Sequence, residues 1–267
     1  MSIRPLTRQR RHTYYFLRTI RGFSPVFLDT DVDMTRVQQL REAAEESGRR
    51  YSAVAVAILA AARALAAHPR ANAALHGILR PRIETYDGVD VKVALDKTLD
   101  GERVVLSAVL RGADAADLDE IQAQLAHHRT GDAGRMPEFA PVRRLQQLPV
   151  WLGSLLFGRT VRPPAGRRRV MGTLAVSSLG HRPVNGFHSV GGTTITLGLG
   201  RITDRPVARD GQVAIAPVMR LNLAFDHRVV DGAEAADLLA DIKAALEDFE
   251  LPVVHGAEDR SVSLGGL

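Results

Sequence analysis

The stretch from Leu221 to Leu239 constrains this chain most, because it joins a strand, a turn and a helix. Apolar and polar residues alternate up to Phe225, which predicts a strand with one buried face. Beyond Asp231 the apolar residues recur at helical spacing; Asp231 is placed to cap this helix and Glu234 to complete a capping box. His227 is predicted to continue the buried register, where an imidazole would be dry enough for proton transfer yet within reach of a ligand.

A structural interpretation of this turn stands beside the functional one. A lone histidine is more often a satisfied core side chain, and an aspartate before a helix is often only a cap. The strand–turn–helix context favours chemistry at His227 and Asp231. Two ligands four residues apart across a turn do not make a zinc site, and the chain has no cysteine, so we expect no metal. Any protein nucleophile must then be a hydroxyl or an imidazole.

The composition indicates a globular protein, with 45% hydrophobic and 24% charged residues among 267. No apolar run reaches the roughly 18 residues that a membrane span requires, so no span is predicted. The net charge of +5 comes almost wholly from arginine, but the basic residues are scattered and form no nucleic-acid-binding motif. We therefore expect no nucleic acid partner, and we consider a phosphate-bearing small molecule or an acidic protein instead. The basic N-terminus lacks an uninterrupted apolar segment and a cleavage site, which predicts a cytoplasmic protein without a targeting signal.

The pattern divides the chain into a basic N-terminal arm (1–25), a main α/β domain (26–250) and a flexible tail (251–267). Within the arm, the aromatic run from Tyr14 to Leu17 is predicted to pack on the domain. The predicted strands are Val26–Asp33, Arg82–Leu95 with a break at Asp87, Arg103–Leu110, Val170–Ser177, Thr193–Leu199 and Val213–Phe225. The predicted helices before the turn at Asp231 are Met34–Glu45, Ser52–Ala67 and Asp114–His128, of which the second is apolar almost all round and therefore buried.

The periodic pattern breaks down over a divergent excursion at 130–170, which holds five prolines. We predict a short helix around Val150–Phe157 and a mobile arginine-rich run at Arg167–Arg169. Trp151 and Leu155 are expected to tuck against the core. The alternative is that they belong to a lid or a partner-docking patch.

Two further stretches carry polar or glycine residues at strand ends. Ser177 and Ser178 close a buried strand, but nothing around them resembles the GxSxG elbow of a serine nucleophile. They are either turn formers or donors to a developing oxyanion. The glycine-rich stretch at 187–200 does not match GxGxxG before a helix, so a phosphate cradle is not supported.

Several of these segments together resemble a known family. DHRVVDG at 226–232 resembles the active-site motif of the dihydrolipoamide acyltransferase catalytic domains of 2-oxoacid dehydrogenase complexes, and its H-x-x-x-D-G core is shared with chloramphenicol acetyltransferase. GTLAVSSLG at 172–180, DVDMTRVQQLRE at 31–42 and HPRANAAL at 68–75 are also similar to segments of that family. The resemblance covers roughly residues 5–250. It implies an α/β fold, with a mixed β-sheet and helices packed against it, of the coenzyme A-dependent, chloramphenicol acetyltransferase-like type.

The resemblance also implies roles for particular residues. His227 would be the general base that takes a proton from the thiol of coenzyme A or of a dihydrolipoyl group, as sulfur attacks an acyl thioester. Ser177 would stabilise the oxyanion from a neighbouring subunit of a homotrimer or a higher assembly of trimers. Asp231 would organise the turn through a salt bridge with one of three N-terminal arginines, Arg8, Arg10 or Arg11. The implied partners are a small-molecule acyl thioester and a lipoyl-bearing carrier protein.

The sequence departs from the family where the thiol channel is expected. The channel stretch is DKTLDGERVVLSAV at 96–109, and HSVGG stands at 188–192 where the family has a proline-rich segment. No lipoyl domain, subunit-binding domain or linker precedes the domain, so we expect a stand-alone catalytic domain. Two alternatives stay open: acylation of an amine, hydroxyl or carbon acceptor in a specialised pathway, and a non-catalytic trimeric scaffold.

Overall fold

A seven-stranded mixed β-sheet, covered by helices, organises the chain in a computed structural model that describes residues 3–77 and 79–250. The strands run in the order β1-β9-β7-β6-β4-β5, and β8 pairs with the first half of β9. Their bounds are β1 Pro25–Asp33, β4 Val91–Leu99, β5 Glu102–Leu110, β6 Leu174–Ser178, β7 Ile195–Leu199, β8 Thr203–Arg209 and β9 Gln212–Asp226; β2 (Ala73–His76) and β3 (Arg82–Thr85) form a separate pair. This arrangement confirms the predicted mixed sheet.

Eight α-helices accompany these strands in the described part of the chain. They are α1 Arg11–Thr19, α2 Thr35–Glu46, α3 Ala53–Ala67, α4 Leu118–Thr130, α5 Ala140–Gln147, α6 Val150–Val161, α7 Pro164–Met171 and α8 Gly232–Glu247. The most apolar one, α3, lies against α8, α4 and β6, and its residues from Ala55 to Ala62 are all buried. None of the helices in the described ranges is long and apolar enough to cross a membrane.

The direction of each strand decides which strand ends lie together at each end of the sheet. β4, β6 and β7 run parallel, whereas β9 runs antiparallel to β7. The last residues of β9 therefore lie beside the first residues of β7 and β6, with Phe225 opposite Ile195 and Ile195 opposite Leu174. The C-terminal ends of β6 and β7 lie at the opposite end of the strands, which we call the other edge of the sheet.

The excursion at 130–170 is helical rather than irregular. Helices α5 and α6 pack on each other and on α1, and α7 packs on α6, so proline marks the helix starts here instead of breaking structure. The predicted short helix is confirmed and extends to Val161. The arginine run is not a mobile segment, since it lies in α7, where Arg168 Nε donates to Asp90 Oδ2 at 2.8 Å.

The expectation for Trp151 and Leu155 is wrong. Their side chains are 70% and 50% exposed, because the opposite side of α6 makes the contacts: Gly153 is buried, and a Cβ added to it would meet the buried ring of Tyr15. The arm therefore does pack on the chain, as helix α1. Its main neighbour is the excursion itself.

A few boundaries also differ from the sequence pattern. The helix predicted from Asp114 begins at Leu118, because Asp117 and Glu120 form the capping box. The pattern missed β2 and β8, which are short or largely exposed and therefore lack a buried alternation. The predicted flexible tail, 251–267, lies outside the described residues.

Candidate active site

The turn between β9 and α8 is held by Asp226, which is buried at the end of the strand. Its carboxylate accepts from Arg228 Nε at 2.8 Å and from the backbone N–H of Ser24 at 3.4 Å. Burial alone would raise the pKa of Asp226, but the hydrogen bonds from Arg228 outweigh it and hold this pKa below its usual value. His227 donates its backbone N–H to the Ser24 carbonyl at 2.9 Å. These contacts fix the backbone that carries the histidine.

His227 is not in the buried register that the sequence predicts. The strand ends at Asp226, the chain turns, and the imidazole is left 46% exposed with its ring 5.4 Å from that of Phe225. Its Nδ1 lies 3.6 Å from Asp231 Oδ1, and the Asp231 side chain is 92% exposed. In one chain the site is therefore open to solvent on the side of the turn.

Asp231 occupies the N-cap position of α8, but its side chain makes no capping hydrogen bond, so the predicted capping box with Glu234 is not formed. The predicted salt bridge with an N-terminal arginine is also absent among the described residues. Arg8 reaches Gln147, and Arg11 donates to the carbonyls of Gln146 and Leu148, because α1 packs toward α5. Arg10 forms no salt bridge in the described chain.

Ser177 lies at the other edge of the sheet from His227. It stands opposite Gly198 of β7, which in turn stands opposite Asn222 of β9. Asn222 lies four residues before the end of β9 at Asp226, about 13 Å along the strand, and His227 follows that end. Ser177 is two strands away from β9. One chain therefore does not bring the predicted base and the predicted oxyanion donor together.

A cavity of about 700 Å³ opens beside Ser178, at the C-terminal edge of β6 and β7. Four basic side chains line it from distant parts of the chain: Arg41, Lys97, Arg129 and Arg201. The acid in its wall, Asp96, is already bound by Arg103 Nε at 2.8 Å. The cavity has the size of a small-molecule site and a positive charge that suits an anionic ligand. The sequence analysis missed these residues, because they share no local motif.

A second group of basic side chains lies against Phe16, Phe23 and the backbone of Gly191 and Gly192. Lys92 is buried, donates to the Gly191 carbonyl and lies 4.4 Å from the ring centroid of Phe16; burial lowers its pKa to about 7. Arg167 of α7 donates to the Gly192 carbonyl at 2.9 Å and stacks on Phe23. Arg228 of the motif stacks on the same Phe23. The helical excursion is thus in contact with the motif turn, a link that no sequence pattern indicated.

One group of metal-ligating side chains occurs among the described residues, away from the predicted site. His127, His128 and Glu138 bring one ligand atom each within 4.8 Å of one another. His127 Nε2 and Glu138 Oε1 are hydrogen-bonded at 2.8 Å, which joins α4 to the start of the excursion without an ion. The hydrogen bond between His127 and Glu138 therefore gives these two side chains a structural role.

The fold, and the histidine on a strand–turn–helix, are the features expected of an acyltransferase catalytic domain. The family profile described as "2-oxoacid dehydrogenases acyltransferase (catalytic domain)" matches residues 3–135 and 170–254. The chain belongs to this family.

Two curated relatives illustrate the likeness. The dihydrolipoyllysine-residue succinyltransferase components of the 2-oxoglutarate dehydrogenase complexes of Haemophilus influenzae and Azotobacter vinelandii are 27% and 29% identical, over 91% and 82% of this chain. The matches cover 53% and 48% of those proteins, so the chain spans about half their length.

Solved structures show the same fold. The dihydrolipoamide acetyltransferase of Azotobacter vinelandii, determined to investigate a serine, a histidine and an asparagine in its catalytic mechanism, superposes with a TM-score of 0.69 at 22% identity over 93% of this chain and 92% of that one. The cubic core of a pyruvate dehydrogenase multienzyme complex gives 0.68 at 20% identity, with the same coverage of both chains. The predicted fold class is confirmed.

Proposed function

We propose that this protein transfers an acyl group between an acyl thioester and a thiol, with His227 as the general base. The observation that carries the proposal is the position of His227 on the DHRVVDG turn of an acyltransferase family, exposed to ligand and beside Asp231. Imidazole is the side chain best suited to take a proton from a thiol near neutral pH. A base in this position contributes roughly 10²- to 10⁴-fold to the rate.

The reaction balances without a covalent enzyme intermediate. His227 takes the S–H proton as sulfur attacks the thioester carbonyl, and a tetrahedral oxyanion forms. Collapse of this oxyanion breaks the original carbon–sulfur bond, and the leaving thiolate receives the proton from the imidazolium. Asp231 Oδ1 lies 3.6 Å from Nδ1, beyond hydrogen-bond distance, so we assign Asp231 no part in fixing the tautomer of His227.

Ser177 of a neighbouring subunit completes the site in this proposal, as the donor to the oxyanion. The support is geometric: Ser177 and His227 lie at opposite edges of the sheet, so a site that uses both needs two copies of the chain. The Azotobacter acetyltransferase was studied for the catalytic role of a serine and a histidine, and another relative in fold is a cubic core. We infer that the copies form a homotrimer, because the family resemblance implies a trimer with its active sites between subunits. One oxyanion donor is worth about 10²- to 10³-fold.

The thioester substrate is proposed to be an acyl-coenzyme A, bound through the basic cavity beside Ser178. Its phosphates are the anionic groups that Arg129 and Arg201 would pair with, in the positive field to which Arg41 and Lys97 add. The second thiol is proposed to be a dihydrolipoyl group on a carrier protein, since the curated relatives act on a dihydrolipoyllysine residue.

Mixed assembly of two inactive variants tests this proposal. His227→Ala and Ser177→Ala should each lower the transfer of an acetyl group from acetyl-CoA to dihydrolipoamide, by at least about 10²-fold. When the two variants are co-expressed, a ring that shares its sites between subunits has about a quarter of its sites intact. Activity well above that of either variant alone is therefore expected, and no recovery in mixed trimers of confirmed composition would contradict the shared site.

Acceptor assays separate the proposal from its alternatives. Efficient acylation of dihydrolipoamide, with amines and alcohols inert, supports the thiol. Preferential acylation of an amine, hydroxyl or carbon acceptor would replace that part of the proposal. A wild-type protein whose melting temperature is unchanged by a panel of acyl-CoA compounds, and which transfers no acyl group, would be a scaffold.

A further inference from the structure

Helix α6 presents a face that the described part of the chain leaves uncovered. One side of the helix carries Trp151, Leu155 and Arg159. Arg162, which directly follows the last helical residue, continues this side, and Leu156 borders it. All five are exposed. We call these five side chains the α6 face; its first half is apolar and its second half is basic.

The α6 face belongs to the part of the chain that the family profile does not match. Residues 136–169 lie between the two matched segments, and they hold α5, α6 and most of α7. The fold of the matched domain therefore does not explain the exposed apolar residues on α6. A contiguous exposed apolar surface of this kind indicates an interaction site.

Charge is segregated toward the same side of the molecule. Residues 1–28 contain six arginines and 139–171 contain seven, and neither segment contains an acid. The two segments contact each other through α1, α5 and α6. Their thirteen arginines exceed the net charge of +5 for the whole chain, so the remainder is net acidic.

We propose that the α6 face docks on an anionic lipid surface, with the axis of α6 lying along the interface. Large apolar side chains, a tryptophan and flanking arginines on one short helix are the chemistry of an interfacial helix. Arg159 and Arg162 continue the exposed side of Trp151 and Leu155, so they can meet lipid headgroups as the apolar residues enter the boundary. Only the exposed arginines of the two acid-free segments, such as Arg18, Arg21 and Arg144, can add attraction to the anionic surface, since Arg167 and Arg168 are held by the Gly192 carbonyl and Asp90.

A bilayer explains the α6 face better than a protein partner does. A folded acidic protein is recognised through discrete ion pairs, whereas the arginines here are spread over several helices around an apolar stripe. Two copies that face each other through this same surface would bring arginines together, which opposes such a contact. The α6 face also lies outside the matched domain on which the inference of a trimer is based. These two occupants are outcomes of the test below.

The single tryptophan makes the test direct. Vesicles of phosphatidylcholine alone, or with 30% phosphatidylglycerol, are added to the full chain at low salt; in the same samples we measure co-sedimentation and the emission maximum of Trp151. We expect binding and a shift of the emission to shorter wavelength with the anionic vesicles, reversed by added salt. Leu155→Ser with Leu156→Ser should abolish the shift, and Arg159→Gln with Arg162→Gln should weaken binding about tenfold or more.

The matched control removes exposed apolar side chains elsewhere. Val213→Ser with Ile215→Ser changes the β8–β9 hairpin, where both side chains are more than half exposed, and this variant should bind anionic vesicles like the wild type. Circular dichroism confirms the fold of each variant.

A wild-type protein that stays in the supernatant with anionic vesicles overturns the proposal, as does equal binding by all variants. Binding to polyglutamate without vesicle binding would indicate an acidic partner, and a lower sedimentation mass of the leucine variant without vesicle binding would indicate a second copy; either result overturns it.

Discussion

A single buried lysine makes the stability of the folded chain depend on pH. Lys92 is enclosed by Phe16, Met171 and the Gly191 carbonyl, and Arg167 adds a second positive charge nearby. Its charged form is therefore disfavoured in the folded chain, and the pKa falls to about 7 from 10.5. Between these two values the unfolded chain binds more protons than the folded one, so this group makes stability rise with pH. Its destabilising effect is complete below pH 7.

The variant Lys92→Met, which keeps an unbranched side chain of nearly the same length and removes the charge, tests this rise of stability with pH. The stability of the wild type relative to the variant should increase by about 2–3 kcal/mol between pH 6.5 and pH 9. Urea unfolding of both proteins at the two pH values gives this difference. A relative stability that does not change with pH would show that Lys92 titrates normally. Lys97→Met is a second case of the same sign, since burial also lowers the pKa of Lys97.

At the scale of elements, the N-terminal helix and the excursion stabilise each other. Gly153 allows α6 to approach the ring of Tyr15, which is buried on α1. A Cβ at this glycine would lie 2.5 Å from the Tyr15 hydroxyl. By contrast, a Cβ at Gly158 of the same helix meets nothing within 4 Å. A substitution at Gly153 therefore tests close packing between two helices, and one at Gly158 tests helix propensity alone.

We predict opposite effects for alanine at these two positions. Gly153→Ala should lower the free energy of unfolding by about 1–3 kcal/mol, because the added methyl group forces α1 and α6 apart. Gly158→Ala should leave it unchanged or raise it by up to about 1 kcal/mol, because alanine favours the helix and finds open space. Chemical denaturation of the two variants measures both values. A tolerated Gly153→Ala would mean that α1 does not rest on α6.

At the scale of the whole molecule, the basic cavity is assembled from four separate parts of the chain. Arg41 comes from α2, Lys97 from β4, Arg129 from α4, and Arg201 from the connection after β7. Lys97 is committed to backbone carbonyls, and burial lowers its pKa. Arg41 already donates to the Tyr51 carbonyl and to Gln38 Oε1. Arg129 and Arg201 are therefore the groups that we expect to contribute most to binding an anionic ligand.

Removing these two charges should weaken substrate binding without changing the chemical step. Arg129→Gln with Arg201→Gln should raise the Kd for acetyl-CoA about tenfold or more, while kcat at saturation stays near the wild-type value. Isothermal titration and steady-state kinetics measure the two quantities. Arg135→Gln is the control, since Arg135 is highly exposed and lies outside the cavity. If the double variant and the control bind alike, the phosphates bind elsewhere.

The sequence by itself determined the local elements and the family. Period-2 and period-3.6 patterns predict β1, β5, β9, α2 and α3 within a residue or two of their observed bounds, because such patterns depend on near neighbours. The DHRVVDG turn carries enough specific residues to indicate an acyltransferase domain, and the family match bears this out. The sequence pattern did not predict four elements, because they are short and their burial depends on distant partners: the strands β2 and β8 and the helices α5 and α7.

Only the tertiary structure decided how these elements meet. Strand order and direction put Ser177 and His227 at opposite edges of the sheet, which no local pattern encodes. The packing of α1 on the excursion leaves Trp151 outside and brings Arg167 to the motif turn. Burial of Lys92 and the grouping of arginines around the cavity have the same origin. Each is a contact between residues far apart in the chain, whose formation depends on the complete fold rather than on the residues next to them.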